Sequence, residues 1–184
     1  SGGPTAAINA SLCGVIEAAL EKGVKLYGAE NGIKGIFEDR LVLLNDYFAE
    51  EKNRSLLKTT PAAFLGSCRY KLPETEGKNE VYEEIFDYFE KKDITHLVYI
   101  GGNDSMDTVA KLSSYANKFG KNLKTVGVPK TVDNDLAGTD HTPGYGSAAK
   151  YVAATVKEIY RDSAVFLENS VTIVEIMGRN AGWL

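Results

Sequence analysis

Apolar residues recur at helical spacing over residues 6–21 (AAINASLCGVIEAALE), with Gly23 as a stop, and over residues 78–92 (KNEVYEEIFDYFEKK). The same spacing predicts helices over 48–58, 105–119 and 145–161. Short apolar runs alternate with these helices and predict strands at 24–29, 62–65, 95–100, 124–128 and 171–176. The run THLVYI at 95–100 is apolar almost throughout, as expected of a parallel strand covered on both faces. Strands separated by helices predict the α/β class, a doubly wound, mostly parallel sheet with helices on both faces.

In such sheets ligands bind beyond the carboxyl ends of the strands. Four polar or glycine-rich stretches follow predicted strands: Gly66-Ser67-Cys68-Arg69, Gly101-Gly102-Asn103-Asp104-Ser105, Pro129-Lys130-Thr131-Val132-Asp133-Asn134-Asp135, and Met177-Gly178-Arg179. In the second, the glycines let backbone amides close on an anion, and the start of the next helix adds a partial positive charge. Asp104 suits a magnesium ion carried by a phosphate, or a block against bulkier ligands. Helix capping by Asp104 or Ser105 is the competing reading. In the third stretch, Lys130 is a compact charge for phosphate and an Asp beside it suits a general base toward a sugar hydroxyl. A solvated Asp/Asn turn is the alternative there. Arg69 and Arg179 offer forks for phosphate oxygens, with surface ion pairs as the alternative.

Composition narrows the field. The 43% hydrophobic and 25% charged content is that of a soluble globular chain, and 184 residues suit one domain. The net charge of −4 disfavours nucleic acid as a partner. No run is long enough to cross a membrane and no leader is recognisable, which points by default to the cytoplasm. Cys13 and Cys68 lack the spacing of a zinc site or disulfide framework. Ser1-Gly2-Gly3 reads as a phosphate loop with no strand before it, and Trp183-Leu184 ends the chain just past a predicted strand. The expectation is therefore a donor-binding domain over 1–184 of a longer protein, without its leading strand and second domain.

Together with Asn9-Ala10, Asn31-Gly32-Ile33-Lys34-Gly35, Asp140-His141-Thr142-Pro143-Gly144 and the continuation Asn180-Ala181-Gly182-Trp183, these stretches resemble the phosphofructokinase family, in family order across essentially the whole chain. The resemblance implies phosphoryl transfer to the 1-hydroxyl of fructose 6-phosphate, giving fructose 1,6-bisphosphate, a step of glycolysis. It implies that Asp133 is the catalytic base, with Thr131 and Lys130 beside it. Asp135, Met177, Gly178 and Arg179, with Thr131 and Asp133, would bind the sugar phosphate. Gly3, Arg69, Gly102, Asn103, Asp104 and Ser105 would form the donor side, with Mg2+ at Asn103 and Asp104. A homo-oligomer is implied for the full-length enzyme.

Two positions bear on the donor. ATP-using bacterial members resemble Gly-Gly-Asp-Gly-Ser and Pro-Gly-Thr where this chain has Asp104 and Lys130. A carboxylate at 104 opposes the α-phosphate of a nucleotide by bulk and charge, and Lys130 adds a cation for a small, dense anion. Both resemble the pyrophosphate-dependent branch, whose reaction is reversible. The alternatives are an ATP-dependent enzyme, a non-catalytic regulatory subunit and a generic nucleotide-binding module. Asn103 stands where most members carry Asp, and an amide is a weaker magnesium ligand than a carboxylate. Ser170 stands where ATP-using bacterial enzymes carry an arginine that reaches a neighbouring subunit's sugar phosphate.

Overall fold

Helix α1 (Ala6–Glu21) begins where the Thr5 hydroxyl accepts the Ala7 amide at 3.3 Å. Strand β1 (Tyr27–Ala29) pairs antiparallel with β2 (Leu41–Leu43) around the short helix α2 (Ile33–Phe37). Helix α3 (Glu51–Thr59) and helix α4 (Glu80–Lys91) follow. Asn79 caps α4 by accepting the Val81 amide at 3.0 Å. Strand β3 (His96–Gly101), helix α5 (Asn103–Phe119) and strand β4 (Lys124–Pro129) form a βαβ unit, with β3 and β4 parallel. Helix α6 (Tyr145–Ser163) is the last element. The computed structural model describes all residues except Thr75 and Arg179.

The chain divides into two units, Ser1–Lys130 and Thr131–Leu184. Two apolar clusters hold the first. One gathers α2, α4 and α5, because Tyr82, Ile85, Phe86 and Phe89 fall on one face of α4 and are buried there. The Tyr115 ring of α5 stacks between two of them, with its centroid 4.6 Å from Tyr82 and 5.5 Å from Phe86. The other cluster sets α1 (Leu12, Cys13, Ile16) against Phe48 and Leu57. In the second unit α6 presents no buried residue.

The α/β alternation is observed, and the helices lie within a few residues of their predicted bounds. Two predicted strands are absent. Residues 62–65 form turns: Ala62 has φ +68°, and the Gly66 amide returns to the Ala63 carbonyl at 2.9 Å. Their apolar character is used instead by Leu65, which packs on the α1 cluster. Residues 171–176 form no strand either, with Val171 and Ile173 about nine-tenths exposed. Apolarity alone does not supply a neighbouring edge to pair with. The predicted 24–29 strand is shortened: the Leu26 carbonyl still accepts the Leu44 amide at 3.0 Å, but the Asn45 side chain takes the Leu26 amide at 2.8 Å and gives to the Val24 carbonyl at 2.9 Å. Strand β2 is three residues long, too short for any periodicity to announce it.

Two predictions follow from this packing. Leu112 is fully buried between α4 and α5, so Leu112→Ala is expected to cost ~2–5 kcal/mol in chemical denaturation. Glu83 is held below the ordinary carboxylate range by hydrogen bonds from Lys121 and then from the Tyr115 hydroxyl, each at 2.6 Å. A depressed folded-state pKa gives stabilisation that is full above the unfolded value of about 4.3 and is lost as pH falls through the folded value. Glu83→Gln should therefore lower the thermal midpoint at pH 7, and its deficit relative to the parent protein should shrink as pH falls below about 4.3.

Candidate functional site

The parallel register of β3 and β4 sets Gly101 opposite Pro129, so both strands end at one level. The Lys130 amide continues the ladder to the Gly101 carbonyl at 2.9 Å. The Lys130 side chain then turns to the first loop of the chain, where Nζ donates to the Gly3 carbonyl at 2.8 Å. That loop comes equally close to the start of α5. A Cβ on Gly2 would lie 3.4 Å from the Gly102 nitrogen and 4.0 Å from Lys130 Nζ, and one on Gly3 would lie 3.8 Å from the same ammonium. Gly2 also has φ +78°, a conformation costly for other residues. At Gly101 a Cβ would collide with Ser105 Oγ and come within 2.7 Å of the Ser1 carbonyl. Two glycine segments, Gly2-Gly3 and Gly101-Gly102, and one ammonium thus meet at the end of the two strands.

Helix α5 starts two residues earlier than its spacing predicts. Its N-cap is Gly102, with no side-chain cap. Capping by Asp104 or Ser105 is therefore not how this helix begins. Asn103 and Asp104 are exposed in its first turn, whereas Ser105 is buried beneath Gly101. A helix start without a side-chain cap, beside an ammonium, attracts anions through its amides and its partial positive charge. Arg69 is exposed just after Cys68, whose carbonyl accepts Ser1 Oγ at 3.2 Å.

The Gly2–Gly3 loop is tied to a hydrogen-bond network that no single motif announces. Ser67 Oγ donates to the Gly2 carbonyl. Asn31 Nδ2 donates to the Ser67 carbonyl at 3.1 Å, the Asn31 amide donates to the Leu65 carbonyl at 2.7 Å, and Arg40 donates to Asn31 Oδ1 at 3.1 Å. Asn31 has φ +58°. The Asn31-Gly32 pair signals a left-handed turn, but besides Arg40, nine residues on, its partners Leu65 and Ser67 lie 34 and 36 residues away and nothing local announces them. The Tyr99 hydroxyl sits beside Gly32, and burial raises its pKa.

In the second unit, Asp133 is buried and its amide donates to Thr131 Oγ1 at 3.0 Å. The segment is held by the 140–144 turn. Thr142 Oγ1 donates to the Thr131 carbonyl at 2.6 Å, the Thr142 amide to Asn134 Oδ1 at 2.9 Å, and Asn134 Nδ2 to the Asp140 carbonyl at 3.0 Å. The stretch is thus a tied loop with one acid inside, Asp133, and one exposed, Asp135. Met177 is largely exposed and does not follow a strand, while Gly178 is buried and its carbonyl accepts the Ala181 amide at 2.7 Å. The expected role of Arg179 falls outside the described residues. The structure thus brings Gly3, Gly102 and Lys130 together in the first unit, with Asn103 and Asp104 on the adjoining helix turn, and Thr131 with Asp133 in the second.

Among the described residues, no cluster of three or more His, Cys, Asp or Glu side chains could hold a metal ion. Nor is any helix among them long and apolar enough to cross a membrane.

Residues 1–184 match the family described as Phosphofructokinase, and the chain belongs to that family. It is 45% identical over its whole length to the pyrophosphate–fructose 6-phosphate 1-phosphotransferase of Xanthomonas campestris pv. campestris (strain B100), covering 44% of that protein. It is 43% identical to the enzyme of the same name from Halomonas elongata (strain ATCC 33173), covering 45% of it. Among solved structures, the pyrophosphate-dependent phosphofructokinase of Nitrosospira multiformis superposes with a TM-score of 0.81 at 40% identity, over 90% of this chain and 40% of that one. The chain spans less than half the length of each of these three relatives. The fold is the α/β phosphofructokinase fold.

Proposed function

We propose that this chain is the phosphoryl-donor half of a pyrophosphate-dependent 6-phosphofructokinase. The carrying observation is the Lys130 ammonium, 2.8 Å from the Gly3 carbonyl and beside Gly2 and the Gly102 start of α5. A point cation, glycine backbone and a helix start form a cradle suited to a small, densely charged anion. Asp104 is exposed in the helix turn that follows. It opposes a longer nucleotide chain by charge and bulk, which favours pyrophosphate over ATP. The names of the two relatives above agree with that choice.

The reaction proposed is transfer of one phosphoryl group of pyrophosphate to the 1-hydroxyl of fructose 6-phosphate, releasing orthophosphate, and its reverse. Asp133 accepts the hydroxyl proton as the oxygen bonds to phosphorus and the bridging oxygen of pyrophosphate leaves. Its burial, and the bond from its backbone amide to Thr131 Oγ1 that holds the loop, support this role. Thr131 orients the same loop. Lys130 neutralises charge on the donor, where phosphoryl transfer most needs help. Asp135, Met177, Gly178 and Arg179 are assigned to the sugar phosphate, and Arg69 and Ser105 to the donor side.

Mg2+ fits the residues present. It seldom sits in an all-protein cage; it keeps water and is held by one or two carboxylates together with phosphate oxygens. Asp104, with Asn103 beside it, is a donor set of that kind. When bound with pyrophosphate the ion would offset the charge of the phosphates. We assign the complete enzyme a second α/β domain with the 6-phosphate ligands, a homo-oligomeric state and a place in cytoplasmic glycolysis.

Two experiments on the complete enzyme test this reading. Asp104→Gly with Lys130→Gly should shift the ratio of kcat/KM for pyrophosphate to that for ATP by about tenfold or more toward ATP. The two changes should be non-additive, because both act on one ligand. An unchanged ratio in donor assays would remove the donor assignment. Asp133→Ala should lower kcat by roughly 10²–10⁴, the usual contribution of a general base. Unchanged turnover in a correctly folded variant would reject that role.

A further inference from the structure

The Gly2–Gly3 peptide is planar and trans, so its carbonyl and its N–H point in opposite directions. Whatever holds the Gly2 oxygen therefore aims the Gly3 amide. The holder is Ser67, whose hydroxyl donates to that oxygen. Ser67 is held in turn, because its own carbonyl accepts Asn31 Nδ2 at 3.1 Å. Asn31 is fixed on two further sides, by its amide to the Leu65 carbonyl at 2.7 Å and by Arg40 on Oδ1 at 3.1 Å. Arg40 is anchored by Glu38 at 2.7 Å. A non-glycine residue at φ +58° persists only where its surroundings over-determine it, and these bonds do so. A Cβ on Gly66 would lie 2.5 Å from Asn31 Nδ2, so the two loops are in direct contact.

We infer that Asn31 and Ser67 are positioning residues for the phosphoryl donor, acting in series through the Gly2 carbonyl to aim the Gly3 amide. The inference rests on the reading of the Gly2–Gly3 loop as part of the donor cradle. Neither side chain needs to touch the donor. Their effect belongs to donor binding, since every atom of the relay lies in the Ser1–Lys130 unit with the cradle itself.

The test uses the complete enzyme with Ser67→Ala, Ser67→Thr, Asn31→Gly and the Ser67→Ala/Asn31→Gly pair. Glycine at 31 keeps the left-handed backbone and removes only the amide side chain. The readouts are KM for each donor, KM for fructose 6-phosphate, and the calorimetric Kd of magnesium pyrophosphate. Ser67→Ala and Asn31→Gly should each raise the pyrophosphate KM and Kd about tenfold, equivalent to about one hydrogen bond. The KM for fructose 6-phosphate should change less than about twofold, well below that hydrogen-bond scale. Ser67→Thr retains the hydroxyl and should stay near the parent values. The double variant should be no worse than the worse single one, because the residues act in series.

An unmoved donor KM and Kd, a sugar-phosphate KM that rises in proportion, or additive effects would overturn the relay. So would melting of both single variants below the assay temperature, which would make the network a folding element. An enzyme that uses ATP and not pyrophosphate would remove the donor reading alone. The relay would then be judged by the same split between ATP and sugar-phosphate KM.

Discussion

The register of two parallel strands is the constraint on which the first unit's site depends. Pairing His96 with Lys124 carries through to Gly101 opposite Pro129. The residues that follow, Gly102 and Lys130, therefore leave the sheet side by side. Slipping the register by one residue would send alternate side chains to the opposite faces and move the Lys130 amide off the Gly101 carbonyl. The ammonium would then no longer meet the Gly2–Gly3 loop. The proposed donor cradle of residues 2, 3, 102 and 130 is thus a consequence of backbone pairing before it is one of side-chain chemistry.

Helix α5 connects that end of the sheet to the core. Its buried residues Ser105, Thr108, Leu112, Tyr115 and Ala116 form one continuous stripe. Its first member lies beneath Gly101 and its last members pack among Tyr82 and Phe86 of α4. The same stripe that buries apolar area therefore clamps the first turn of the helix in place. The anion-attracting amides gain their fixed direction from aromatic packing several turns away. Stability and preorganisation share residues here, which is economical but leaves α5 little freedom to adjust.

Much of this was legible in the sequence. The periodicity of 78–92 gave the buried face of α4, and the Gly101-Gly102 pair after an apolar run gave the strand-to-helix turn. The glycine clusters and Lys130 are the features on which the proposed donor site is built. What stayed hidden depends on partners distant along the chain. Residues 62–65 look like a strand, yet Ala62 takes a left-handed conformation and the segment folds as turns. Asn45 takes the Leu26 amide and reaches the Val24 carbonyl with a single side chain, an arrangement with no periodic trace. Asn31 and Ser67 were visible as parts of motifs. Their connection to Gly2 was not, since it passes through backbone carbonyls that the sequence does not distinguish from any others.

Gly101 and its neighbours also imply how this architecture can diversify. Any side chain at 101 would have to displace Ser105 Oγ and the Ser1 carbonyl, so that position is closed to point substitution without collateral repair. Asn103 and Asp104, two and three residues further on, are exposed in the first turn of α5. A change at the exposed Asp104 is therefore easier for the fold than one at 101, and on the proposed function it bears on the donor. If that helix turn faces the donor as proposed, a lineage with this scaffold can explore new phosphoryl donors through its side chains, with the backbone that presents them left untouched.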